Sequence, residues 1–281
     1  MVNIHFATAP VSWGIMEETD STHWPTWEQV LDQIAALDFN GTELGPYGFY
    51  PTDPAQLRDE LAKRKLTLTS AFVPIGLFQD SRQENDINLA RDVAKLLKAL
   101  NCPYIVLADA MRPAGAPDPS SEDWRKAAQT MEAVAREFRD DMGLDTVFHL
   151  EAGSRLETPA DMDTLANLTD PDLIGICLDT GHHAYSGGDP REAIAKYGKR
   201  IRYFHLKDLN ETIAQRVKTE GMDFYTAVKQ GIFPAIGTGS VDIAGVIDDI
   251  KALGYEGWII VEQDSLGTHD YAGRTPLEAV G

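Results

Sequence analysis

The 281-residue chain is expected to fold as one α/β domain over 1–281, a (β/α)8 barrel of the TIM type with a long insertion after the seventh strand. Three observations point there. Eight short segments rich in β-branched and aromatic residues recur along the chain. Helical periodicity fills the stretches between them, and no Pro- or Ser-rich linker divides the sequence. Alternation of this kind calls for a parallel sheet covered by helices, and strands this short suit the staves of a barrel better than two doubly wound sheets.

The segments are, in order, IHFATA (4–9), GTELG (41–45), LTLTSAFVP (66–74), YIVLADA (104–110), TVFHLEAG (146–153), IGICLDTG (174–181), RYFHLKD (202–208) and GWIIVEQD (257–264). Between them, apolar residues recur at helical spacing: Trp27, Val30, Leu31, Ile34 and Leu37; Leu89, Val93, Leu96, Leu97 and Leu100; Trp124, Ala127, Met131, Val134 and Phe138; Ile243, Val246, Ile247, Ile250 and Leu253. Each stripe is a face to lay on the sheet. Asp53-Pro54, Thr158-Pro159 and Asp189-Pro190 mark helix starts, because a capping oxygen satisfies orphan amides and proline presets φ at the first helical position. Glu192, three residues after Asp189, adds the spacing of a capping box.

Two stretches break the rhythm. Residues 209–240 form a long excursion between the seventh strand and its helix, with the glycine-rich IGTGS near its end. Excursions of that length in compact domains are usually functional, and this one is expected to hang over the strand ends as a lid with "GTG" as flexible joints. After the eighth strand, TPLEAVG offers barely a turn of the last helix, so that helix is expected to be short or missing.

Composition narrows the partners. A formal charge of -19 repels phosphate backbones and anionic membrane surfaces, so neither nucleic acid nor membrane is an expected partner. A neutral or cation-assisted small substrate fits better. Cys102 and Cys177 lie in apolar surroundings without CxxC spacing and read as buried free thiols. The N-terminal MVNIHFATAP has no signal-peptide pattern. A cytoplasmic protein is expected, and a homo-oligomer is compatible with these features.

Active sites of parallel barrels lie where the strands end. Four consecutive strands put polar residues there: Glu151 after TVFHL, Asp179 after IGICL, His205 within RYFHLKD, and Glu262 after GWIIV. Each follows an apolar run, where a charge is costly unless paired or bound to metal. Three converging carboxylates repel one another, and a divalent cation resolves that repulsion. Three oxygens and one imidazole suit Mn2+, Co2+, Mg2+ or Zn2+. Any single one of these acids could instead be a helix N-cap or a salt-bridge partner. His149, two residues before Glu151, points to the same side one layer deeper and reads as support or core.

At these residues the chain resembles the xylose-isomerase-like barrels of sugar isomerases and epimerases, and more narrowly the inosose dehydratases of inositol catabolism. The resemblance rests on APVSWG, GTELGPYGFYP, CLDTGHH, FHLKDLN, AVKQGIFPAIGTGSVD and VEQD, and covers nearly the whole chain. It implies a divalent metal, Mn2+ or Co2+ before Mg2+ or Zn2+, held by Glu151, Asp179, His205 and Glu262. It also implies that His182 faces substrate, a small polyol or keto-sugar. After VEQD the sequence departs from the family, since SLGTHDYAGRTPLEAVG stands where a proline-containing segment and a full helix usually follow.

A metal that chelates a ketone and a neighbouring hydroxyl acidifies the carbon between them, and a carboxylate can then take its proton. The enediolate either expels a β-hydroxyl, which is dehydration, or is reprotonated, which is epimerisation or isomerisation. Glu151 and Glu262 are the candidates for acid and base, and His182 or Lys207 for assisting the leaving hydroxyl. Glu43 either holds a substrate hydroxyl or orients Lys207, Lys207 pairs with Asp208 or Glu43 if it is structural, and Trp13 either walls the ring or belongs to the core. His183 is expected to bond a loop carbonyl. The excursion motif favours dehydration of 2-keto-myo-inositol to a cyclohexane dione. The alternatives are a metal-dependent epimerase or isomerase and a non-catalytic sugar-binding barrel.

Overall fold

A computed structural model describes residues 3–16 and 20–265, and in it every expected segment supplies a strand. They are β1 (Ile4–Thr8), β2 (Gly41–Thr42), β3 (Thr67–Leu68), β4 (Phe72–Ile75), β5 (Tyr104–Asp109), β6 (Asp145–His149), β7 (Ile174–Asp179), β8 (Ile201–Leu206) and β9 (Gly257–Val261). All pair in parallel, in the order β3-β2-β1-β9-β8-β7-β6-β5-β4. β3 and β4 are two halves of the third stave. Between them the Leu44 amide donates to the Ser70 carbonyl at 3.0 Å and the Val106 amide to the Ala71 carbonyl at 2.9 Å, one bond toward each side. The curled sheet closes there as an eight-stave α/β barrel.

The helices are α1 (Trp27–Ala36), α2 (Pro54–Lys63), α3 (Asp80–Ala99), α4 (Ser121–Glu137), α5 (Pro159–Leu168), α6 (Thr180–Tyr185), α7 (Pro190–Tyr197), α8 (Glu211–Glu220), α9 (Phe224–Lys229) and α10 (Ile243–Ala252). Asp53, Thr158 and Asp189 are N-caps with proline behind them, as the sequence predicts. The Asp189 oxygen takes the amide of Arg191 rather than that of Glu192, so the capping-box spacing is not used. The apolar stripes of α1, α3, α4 and α10 join one core between the helices and the outer face of the barrel. Leu89 is the exception at 42% exposed. The buried face of α3 runs through Ala90, Val93, Ala94 and Leu97, and one residue is about 100° on a helix, enough to turn Leu89 outward. Inside the barrel, Ala7, Val106, Val147, Cys177, Tyr203 and Ile260 fill the space below the strand ends.

The mouth is stitched where the first and last staves meet. Ser12 Oγ accepts the Gln263 amide at 3.1 Å, and Ser265 Oγ donates to the Ser12 carbonyl at 3.2 Å. The expected short last helix falls within 266–281, outside the described residues. No helix among the described residues is long and apolar enough to cross a membrane.

The excursion 209–240 carries α8 and α9 and a small core of its own, in which Leu209, Ile213, Phe224, Val228 and Phe233 pack on Ala152 and Tyr185 from the barrel loops. Its "GTG" stretch is not a pair of free joints. The Asp208 carboxylate, fully buried, accepts the amides of Leu209 (2.8 Å), Gly237 (2.9 Å), Gly239 (2.8 Å) and Val241 (3.0 Å). One side chain therefore pins both ends of the lid. Asp208→Ala removes the buried carboxylate that accepts all four amides, and is expected to cost about 3 kcal/mol of stability. Limited proteolysis should then cut first within 209–240, and a wild-type digestion pattern would refute the clasp.

Candidate active site

Strand alternation sets the site. Residues two apart share a face, so His149 and Glu151 from β6, and His205 and Lys207 from β8, point to one side of their strands. His149 Nδ1 is 3.5 Å from Glu151 Oε2, and its Nε2 is 3.5 Å from Asp179 Oδ2. His205 Nδ1 lies 3.2 Å from Glu262 Oε2 and 3.8 Å from Asp179 Oδ2, while its Nε2 lies 3.1 Å from Glu43 Oε1. Lys207 Nζ is enclosed by three acids: Asp264 Oδ1 at 2.8 Å, Asp179 Oδ2 at 3.1 Å and Glu262 Oε2 at 3.2 Å. These residues are buried, and only Glu151 keeps 17% of its side chain exposed.

The "DTGHH" turn after β7 serves this arrangement residue by residue. Asp179 caps α6 through Oδ1, which takes the His182 amide at 2.8 Å, and so leaves Oδ2 to the cluster. Thr180 Oγ1 donates to the Lys207 carbonyl at 2.6 Å and accepts the Lys207 amide at 2.9 Å, fixing the turn against β8. Gly181 has to be glycine, because a Cβ there would lie 2.7 Å from Lys207 Cγ and block the path of that side chain. The His183 ring packs so closely beneath Gly188 that a Cβ at 188 would collide with it, and burial pushes its pKa down to about 4. It is a neutral packing residue, with no carbonyl bonded to its buried Nδ1.

Both ring nitrogens of His182 meet protein groups. Burial and Lys207 disfavour a charge on it, and the carboxylates of Glu151, Asp179 and Asp264 favour one strongly enough to raise its pKa. The backbone nevertheless demands a neutral tautomer. The Ala152 amide donates to Nδ1 at 3.1 Å, which requires a lone pair there and leaves the proton on Nε2, 3.4 Å from Asp264 Oδ2. Phe233 of the lid stacks on the ring at 4.9 Å, and the Lys207 ammonium lies 5.1 Å from the same Phe233 ring.

Charge is distributed unevenly over these groups. Burial opposes ionisation of Lys207, but Asp179, Asp264 and Glu262 hold its pKa well above the ordinary lysine value. Burial likewise disfavours ionised Asp179 and Asp264, yet Lys207 keeps both below the usual carboxylate range. Glu151 lacks such a partner. Burial pushes its pKa up to about 7, with His182 and Lys207 only partly offsetting the rise. Burial pushes His149 down to about 3, so that ring is neutral and free to offer a lone pair.

Among the described residues, two sets of donor atoms each lie within 4.8 Å of one another: His149, Asp179 and His205, and Glu43, His205 and Glu262. His205 belongs to both. His149 Nδ1 and His205 Nδ1 are buried without a directed hydrogen bond, a costly state that a cation would relieve. A nitrogen and oxygen donor set without sulfur fits a divalent ion such as Mn2+, Co2+, Mg2+ or Zn2+.

Of the four ligands expected from sequence, Asp179, His205 and Glu262 come together, whereas Glu151 stands to one side and meets them through His149. Glu43 does not orient Lys207: it accepts the Ser70 hydroxyl at 2.5 Å and lies 3.1 Å from His205 Nε2. The Trp13 indole donates to Gln33 of α1 at 2.7 Å, and the ring packs on the helix-facing core. Lys207 pairs with neither Asp208 nor Glu43 but with the three acids above. Sequence reasoning missed Asp264 and undervalued His149. Both lie two residues from a named acid, on the same face of the chain, and that spacing was the available signal.

A family model described as xylose isomerase-like TIM barrel matches residues 31–276. The chain belongs to that family. Among curated relatives, an inosose dehydratase of Geobacillus kaustophilus is 33% identical over 276 residues, covering 94% of this chain and 89% of the relative. An inosose dehydratase of Lacticaseibacillus casei is 29% identical over 287 residues, covering 99% and 93%. The solved structure of the IolI protein with a bound zinc atom superposes with a TM-score of 0.73 at 14% identity, over 98% of this chain and 94% of that one. At that identity the likeness is one of fold. This member of the xylose isomerase-like family is an enzyme, of the dehydratase type of its full-length relatives.

Proposed function

We propose that the chain dehydrates an inosose, 2-keto-myo-inositol, to a cyclohexane dione in inositol catabolism, using a divalent ion held by Asp179, His205 and Glu262 and completed by Glu151. One observation carries the chemistry: among the described residues, a single buried site holds an acid with no ammonium beside it, Glu151, and a lysine enclosed by three acids, Lys207. Dehydration next to a ketone needs both, a base for the α-proton and a donor for the departing β-hydroxyl. The near-full-length likeness to inosose dehydratases supports the substrate.

Glu151 takes the proton from the α-carbon, and the electron pair moves into an enediolate. The enediolate then expels the β-hydroxyl, which leaves as water with a proton supplied from the Lys207 side of the site. The product tautomerises to the dione, and the net change is loss of one water without oxidation or reduction. When bound, the ion would polarise the ketone and its neighbouring hydroxyl and so lower the cost of the negative charge that develops there. Phe233 and the clasped lid exclude solvent, which favours hydroxyl loss over reprotonation. Two buried free thiols, Cys102 and Cys177, suit the reducing cytoplasm.

The test is to incubate the Mn2+- or Co2+-loaded protein with 2-keto-myo-inositol in deuterium oxide and follow products by NMR. Dione formation is the expected result. Return of deuterated or inverted ketose without dione would replace dehydration by epimerisation, and unchanged ketose with retained binding would leave a sugar-binding barrel.

A further inference from the structure

Lys207 sits where a divalent ion would have to compete with it. Its ammonium contacts Asp179 Oδ2 and Glu262 Oε2, two of the oxygens assigned above to the metal. A dication and an ammonium sharing the same two oxygens repel each other, so tight metal binding requires Lys207 to have another partner. The fold leaves few choices. Thr180 fixes the backbone of Lys207, Gly181 leaves room for its stem, and Phe233 lies over its head.

Asp264 is the third contact and the shortest, at 2.8 Å. It is buried, and its other oxygen faces His182 Nε2 at 3.4 Å. The Ala152 amide holds that ring with its proton on Nε2, so His182 presents a donor to Asp264. A chain of fixed groups thus runs from the β6 loop through His182 and Asp264 to Lys207. Neither end of it is a proposed metal ligand.

We propose that Lys207 competes with the divalent ion for Asp179 and Glu262, and that Asp264, oriented by His182, is the positioning residue that draws the ammonium away and thereby sets metal affinity. The inference rests on the metal reading above and adds to it two residues that touch no metal. It also gives His182 a task that both of its ring nitrogens already serve.

The experiment is a double-mutant cycle on Mn2+ binding, measured by calorimetry on wild type, Lys207→Met, Asp264→Asn and the pair. Lys207→Met should tighten Mn2+ binding about tenfold and Asp264→Asn weaken it about tenfold, while in the Lys207→Met background Asp264→Asn should change it less than about twofold. That loss of effect separates positioning from simple charge removal, which would weaken binding equally in both backgrounds and overturn the role of Asp264. Unchanged or weaker binding by Lys207→Met would overturn the competition. Should Asp264→Asn fail to fold, Asp264→Glu is the substitute: affinity within about threefold of wild type is expected, and a larger loss counts against a carboxylate acting on a flexible ammonium. Wild type that binds no Mn2+ would sink the metal reading and this inference together, whereas wild-type binding with an additive cycle sinks only the inference.

Discussion

Glu151→Gln is expected to lower kcat by about a thousandfold or more, because amide and carboxyl have the same shape and only the base is removed. Metal content should fall much less than turnover, since Asp179, His205 and Glu262 remain. The same variant tests the electrostatics. Burial raises the Glu151 pKa from 4.5 to about 7, so the folded protein holds this proton more tightly than the unfolded chain does. Stability from this group is therefore present near pH 4.5 and below and is lost as pH rises through about 7. Glutamine has no such dependence. In the presence of a chelator, the variant should match wild type near pH 5 and exceed it at pH 8 by about 2 kcal/mol, a value reduced for the residual exposure of the side chain. Denaturant unfolding at the two pH values decides it, and a variant less stable at pH 8 would mean that Glu151 has a partner not accounted for above.

His205→Ala is expected to lower divalent-metal affinity by about a hundredfold or more and to abolish turnover with it. His205 joins Glu43, Asp179 and Glu262, and its loss takes a partner from each of these buried acids. The melting temperature should fall as well, because a buried carboxylate cluster short of partners is costly. His182→Ala should instead keep metal within about tenfold and lose most of its turnover, since the ring supports Asp264 and the lid rather than the donor set. Metal analysis after dialysis, beside turnover, separates the two variants, and equal metal loss in both would mean that the turn after Asp179 is misassigned. Exhaustive chelation of wild type should abolish dione formation, and full activity after it would falsify the metal reading.

The barrel was legible because its evidence is local. Strands such as IGICLD and helix starts such as Thr158-Pro159 declare themselves through short apolar runs, capping and fixed φ, which neighbours in sequence decide among themselves. The candidate site was legible for a related reason: one acid ending an apolar run can be an N-cap or an ion-pair partner, but three acids and a histidine on four successive strands point to a shared task. His149 and Asp264 were harder. Each shares a strand face with a named acid, yet whether such a residue packs in the core or enters the site depends on what the neighbouring strands deliver beside it.

From sequence alone came the α/β barrel, the strand ends that carry Glu151, Asp179, His205 and Glu262, and the place of the excursion, because periodicity, capping and charge at a strand end are properties of short stretches. The tertiary structure alone decided which charges pair. Lys207 turned from a partner of Asp208 or Glu43 into the centre of three acids, Glu43 into the support of His205, and Asp208 into the clasp of the lid. Coulomb and hydrogen-bond energies act over a few ångströms between residues far apart in the chain. Only the closing of the barrel sets those distances.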